Sequence, residues 1–158
     1  MKKRLISLIL SLSFVFSVLG ITVCAAETEV ADSKTEVTYF ADGSYLVTII
    51  TEEPANAQAR GVTQTKNGQK STYYYSSTNK LLCSLTVYGT FTYDGTTARA
   101  TNASYSYTVD HSFWSFDSGT TAMSGAKVVA TAVFKYLSFV QTKSLSVTLT
   151  CSPTGSLS

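Results

Sequence analysis

Between Leu81 and Tyr93 the odd positions Leu81, Cys83, Leu85, Val87, Phe91 and Tyr93 are apolar, while Ser84, Thr86, Thr90 and Thr92 alternate with them. A two-residue period places successive side chains on opposite faces, so this stretch reads as a β-strand with one buried and one wet face. Gly89 falls on the buried phase, where a missing side chain suits a bend or a close neighbour. No helix of comparable regularity competes with it, and the rest of the chain is read as packing around this central strand.

The first residues are set apart from that fold. Lys2, Lys3 and Arg4 are followed by an apolar run from Leu5 to Ile21 and by Val23-Cys24-Ala25-Ala26, which offers small residues for a cleavage site. This is the order of a secretory signal peptide, so residues 1–26 are expected to be removed by cleavage after Ala26 and the mature protein to be extracellular. Val23 is not the small residue that a lipidation site at Cys24 wants. Without the leader the formal charge of +2 becomes −1, which names no partner. Its distribution is uneven: residues 27–53 carry −6 and residues 54–158 carry +5. The acidic segment is either solvated or docked on the basic body, with Tyr39, Leu46 and Ile49 as its apolar contacts.

Asp42-Gly43 between Glu36–Phe40 and Tyr45–Thr51 signals a hairpin. From Glu52 to Lys70 the apolar pattern lapses, and 54–70 reads as a linker in which Arg60-Gly61 is a candidate cleavage point; Asn67-Gly68 is a turn signal. Ser71–Tyr75 is a strand with Tyr73 and Tyr75 on one face and Tyr74 on the other. After the central strand and the Asp94-Gly95 turn, apolar phase slips near Thr101-Asn102, which predicts a bulge. Ser118-Gly119 and Ser124-Gly125 bound a short run at Thr120–Met123. Val128–Leu137 is a strand buried on both faces or a short helix, with its valines favouring the strand. Leu145, Val147, Leu149 and Cys151 close the pattern as an amphipathic strand. The total is about eight strands: an antiparallel β-sandwich body over 71–158, or a partly closed barrel.

Chemistry-bearing residues are sparse. His111 is flanked by Asp110 and Ser112, but neighbours on an extended chain point apart and a catalytic triad must converge in space. Asp94, Asp110 and Asp117 are scattered carboxylates that would have to meet in the fold to act as a glycosidase pair, and Asp94 is explained by its turn. No zinc spacing, calcium loop or phosphate-cradling glycine motif is present, so neither a metal nor another cofactor is expected. Cys83 and Cys151 both fall on apolar phases and form either a disulfide or two buried thiols. Dispersed lysines argue against nucleic acid. Tyr73, Tyr74, Tyr75, Tyr88 and Trp114 are candidates for a stacking platform, or are ordinary half-buried strand formers.

Thr38–Val47, Thr72–Tyr75, Val87–Gly95 and Val147–Cys151 together resemble a group of uncharacterised small secreted proteins of Gram-positive bacteria. The resemblance implies export and an all-β fold, and lends no catalytic or binding residue. Size, export and tyrosine-rich strands also resemble small β-sandwich bacteriocins. The expected function is a non-enzymatic interaction module for a glycan, peptide or protein at a cell surface, such as a cell-envelope or host polymer, with a secreted antagonist of bacteriocin type second and a hydrolase third.

Overall fold

The computed structural model describes residues 33–52, 62–137 and 141–158. The leader, Cys24, the start near Glu27 and the Arg60-Gly61 point lie outside them. The remainder is an antiparallel β-sandwich. One sheet takes five strands in chain order, β1 (Ser33–Tyr39), β2 (Tyr45–Glu52), β3 (Gln64–Tyr75), β4 (Leu81–Tyr93) and β5 (Ala98–Val109). The other takes β6 (Trp114–Ser124), β7 (Lys127–Tyr136) and β8 (Gln141–Thr150). Both are meanders in which each strand pairs with its predecessor, with short turns joining β1 to β2, β3 to β4, β4 to β5 and β6 to β7. Among the described residues no strand pairing joins the two sheets, so the barrel alternative does not form.

β4 has the central place its periodicity called for. It pairs with β3 and β5 along its length, and Cys83, Leu85, Val87 and Phe91 have 0% exposure. Opposite them lie Val128, Ala130, Ala132 and Phe134 of β7 and Leu145, Val147 and Leu149 of β8, all buried. The outer phase of β7 is only half-buried at Val129 and Val133, so this strand, read as buried on both faces, is amphipathic. The expected bulge is present: Thr90 pairs with Asn102 but Phe91 with Ala100, leaving Thr101 as the extra residue.

Two readings are corrected and one pair of alternatives is decided. β3 begins at Gln64, so Asn67-Gly68 is not a turn but mid-strand, paired with Thr90 and Gly89 of β4. β4 supplies backbone partners throughout, and β2 from Gly68 onward, to a segment whose own side chains give no apolar alternation. β6 is longer than Thr120–Met123 and contains Ser118-Gly119, with the slip in register falling at Asp117. A Cβ on Gly119 would lie 2.9 Å from the Tyr105 ring, so this glycine leaves room for an aromatic neighbour rather than turning the chain. Cys83 and Cys151 are free thiols. The first sits where β4 begins, the second beside the Glu52 and Lys66 charges near the far end of β4, a separation that no disulfide bridges.

The opening hairpin is part of the fold. β2 pairs with β3 through eight register partners, and Leu46 and Ile50 pack on the core. Ile50 takes the role expected of Ile49, because the even phase of β2 faces inward; Tyr39 is 73% exposed. The acidic segment meets the basic body at a buried ion pair, Glu52 to Lys66 at 3.4 Å. Glu52 also accepts the Leu157 N–H at 3.1 Å, anchoring a C-terminal turn whose Leu157 is buried against Gly68.

Candidate binding face

Strand alternation sorts the tyrosine candidates onto two faces. Tyr74 and Trp114 are core residues, 7% and 8% exposed, with their rings edge-on at 5.9 Å, so neither is a platform. The even phase of β3 faces inward and carries Tyr74 with it; Trp114 starts β6 on its inner phase, across from Tyr136. Tyr73, Tyr75 and Tyr88 belong to the outer face of the five-stranded sheet. Tyr75 stacks on Tyr45 at 4.9 Å and 6°, and Tyr45 meets Tyr39 at 5.4 Å, a row of rings across three strands. Tyr88 stands apart, about 23 Å along β4 at the usual rise per residue. It is 40% exposed, with its hydroxyl 3.2 Å from Ser106 Oγ.

The outer face is almost free of charge. Along β4 it presents Ser84, Thr86, Tyr88, Thr90 and Thr92, and along β5 Asn102, Ser104, Ser106 and Thr108. Among the described strand residues of this face only Arg99 is ionised. Charged residues make up 14% of the chain, against about a quarter in ordinary soluble proteins, and the deficit is concentrated here. Neighbouring hydroxyls bond to one another, Ser71 to Thr86 at 2.8 Å and Ser84 to Thr108 at 2.9 Å.

Around Tyr88 this face holds a groove of about 370 Å³. Gln69 and Ser104 flank Tyr88 in register, and Asn67 and Asn102 flank Thr90 in the next row. The Thr101 bulge lies beside it, with the Thr101 hydroxyl donating to the Thr90 carbonyl at 3.1 Å. Asn102 Oδ1 accepts the Ala103 N–H at 2.9 Å, which fixes the carboxamide. Gly68 and Gly89 face each other across the floor. Their reason lies on the other side of the sheet: a Cβ on Gly89 would stand 2.6 Å from the Phe91 ring, and one on Gly68 2.0 Å from Leu157. Tyr88 was visible in the sequence as an aromatic on a polar phase. Asn67, Gln69 and Asn102 were hidden in a stretch read as linker and in a slip of phase.

No protein-family model, curated protein or solved structure matches this chain.

A second cleft, of about 350 Å³, opens at the end of the sandwich between the β1–β2 and β3–β4 turns and the segment after β5. Asp42, Tyr74, His111, Trp114 and Tyr136 line it. Asp42 accepts from the Ser44 hydroxyl and N–H at 2.6 and 2.9 Å, and these bonds hold its carboxyl below the usual range. Lys143, on the inner phase of β8, places its ammonium 3.6 Å from the Phe40 ring centre and 4.3 Å from that of Tyr74; burial lowers its pKa. His111 Nδ1 accepts the Phe113 N–H at 3.4 Å.

These groups form no proton-relay chain among the described hydrogen bonds. Asp110 accepts from Thr108 rather than bonding to His111. Asp94 is engaged by Thr96 and Thr97, whose hydroxyl and N–H groups depress its pKa, and Asp117 pairs with Lys135. Asp94 and Asp110 lie at opposite ends of β5, so they do not form a carboxylate pair. Among the described residues no group of three His, Cys, Asp or Glu is placed to hold a metal.

Proposed function

We propose that this protein is an exported, non-enzymatic interaction module that engages a cell-envelope or host polymer or protein through the outer face of its five-stranded sheet. The observation that carries this reading is the uncharged, hydroxyl- and amide-rich groove around Tyr88. A face that served solubility alone would be expected to use lysine and glutamate, which repel association. Here the strands present groups that donate and accept hydrogen bonds without a desolvation penalty for charge. Export is supported by the basic, apolar and small-residue order of residues 1–26.

The direct test is sedimentation of the mature protein with insoluble bacterial and host envelope preparations, followed by the same assay on a variant with Thr90→Glu in the groove. Binding by the wild type and loss in the variant is the expected result. Sedimentation with neither preparation, together with growth inhibition of neighbouring bacteria, would overturn the reading in favour of an antagonist.

A further inference from the structure

We propose that the Tyr88 groove is a binding site for an uncharged polysaccharide; this rests on the outer face being the contact surface and goes further by assigning the class of ligand. Three properties of the groove select it. The first is charge. Among the described residues no acidic or basic side chain lines the groove, so a polyanion such as nucleic acid or teichoic acid meets no described cation there to replace its counterions.

The second is the backbone. Asn67, Thr90 and Asn102 are register partners across β3, β4 and β5, as are Gln69, Tyr88 and Ser104. The peptide groups of β4 beneath the groove are therefore committed to both neighbours, and a peptide cannot add here as a further strand. The described lining residues also form no aliphatic pocket of the kind a protein partner's anchoring side chain requires.

The third is the pattern of donors and acceptors. Carboxamides at Asn67, Gln69 and Asn102 each combine an acceptor oxygen with an NH₂ donor, and the hydroxyls of Thr51, Thr90 and Ser104 both donate and accept. Sugar hydroxyls have the same dual character, and adjacent ones match a carboxamide two bonds at a time. The exposed Tyr88 ring supplies an apolar surface for the C–H face of a pyranose, and its hydroxyl is tied to Ser106. A volume of about 370 Å³ falls within the range of ligand sites. All of these side chains except Thr51 stand on the three paired strands β3, β4 and β5, so little freedom is lost on binding.

Affinity electrophoresis of the mature protein tests the assignment, using gels that each contain one soluble polymer. The neutral arms are β-glucan, xylan, galactomannan, α-glucan and wall polysaccharide freed of teichoic acid, which separates host from bacterial sources; teichoic acid and heparin are the charged arms. At least one neutral polymer should retard the protein, and the retardation should survive about 1 M salt, where electrostatic attraction is screened within about 3 Å. Tyr88→Ala and Asn102→Ala should each weaken binding about tenfold or more. Ser146→Ala on the other sheet should bind like the wild type. Retardation by polyanions alone, or groove variants that bind as tightly as the wild type, would overturn the proposal. If no neutral polymer retards the protein while it still sediments with envelopes, the sugar assignment fails and the interaction module stands. If it binds neither, both fail.

Discussion

On its inner face β4 carries Cys83, Leu85, Val87 and Phe91 with no exposed surface, whereas on its outer face the intervening residues are Ser84, Thr86, Tyr88 and Thr90. The same backbone serves both, since alternate residues belong to different environments. The inner face is closed by β7 and β8, where volume is fixed and every methyl group has contacts to lose. On the outer face Ser71 and Ser84 are themselves buried in cross-strand hydroxyl pairs, whereas Tyr88, Asn102 and Ser104 stand in water, where a lost contact is replaced by solvent. Stability thereby rests on one side of the sheet, and the recognition proposed for this protein on the other.

The comparison breaks most severely when the inner face is emptied. Phe91→Ala should cost about 3–5 kcal/mol in denaturant unfolding, from lost burial and the cavity left between the sheets. Next comes the buried ion pair that seals the β2–β3 end of that face. Glu52→Gln should cost about 1.5–3 kcal/mol, because the Lys66 side chain, 6% exposed, loses one ionic partner and the Leu157 N–H loses a charged acceptor. The double variant Glu52→Leu with Lys66→Met should be less damaging than Glu52→Gln alone, which a double-mutant cycle reads directly.

Overfilling is milder than emptying. Gly89→Ala, whose new methyl would meet the Phe91 ring and Val128, should cost about 1–3 kcal/mol while leaving the outer surface unchanged. A break of another kind, confined to strong alkali, is a titration. Burial, with the nearby Asp110 charge, pushes the Cys83 thiol from 9.0 up to about 12. A raised folded-state value means that the neutral thiol's contribution is complete below pH 9 and is lost as pH climbs towards 12. The melting temperature should therefore fall over that window, and Cys83→Ala should weaken the fall.

β4 was legible because both of its faces obey one period. The Thr101 bulge was legible for the same reason, as a break in an otherwise regular phase. The first half of β3, before Ser71, was not, because its inward positions include Lys66, Lys70 and Gly68, and what makes them acceptable lies elsewhere in the chain: Glu52 pairs with Lys66, and Leu157 fills the space over Gly68. Trp114 and Tyr74 stayed open between a stacking platform and half-buried strand formers because local sequence does not reveal which sheet covers which face. The groove followed the same rule. Tyr88 announces itself on a polar phase, but Asn67 and Gln69 join it only once β3 is known to be a strand and in register.

The central claim, that the outer face is free to bind because the inner face carries stability, is tested most directly by Ser104→Glu. This exposed groove position gains a carboxylate without disturbing the core. The account predicts unfolding free energy within about 0.5 kcal/mol of the wild type, together with loss of envelope binding in the sedimentation assay. A stability loss comparable to that of Phe91→Ala, or binding that persists unchanged with the charge in place, would contradict it.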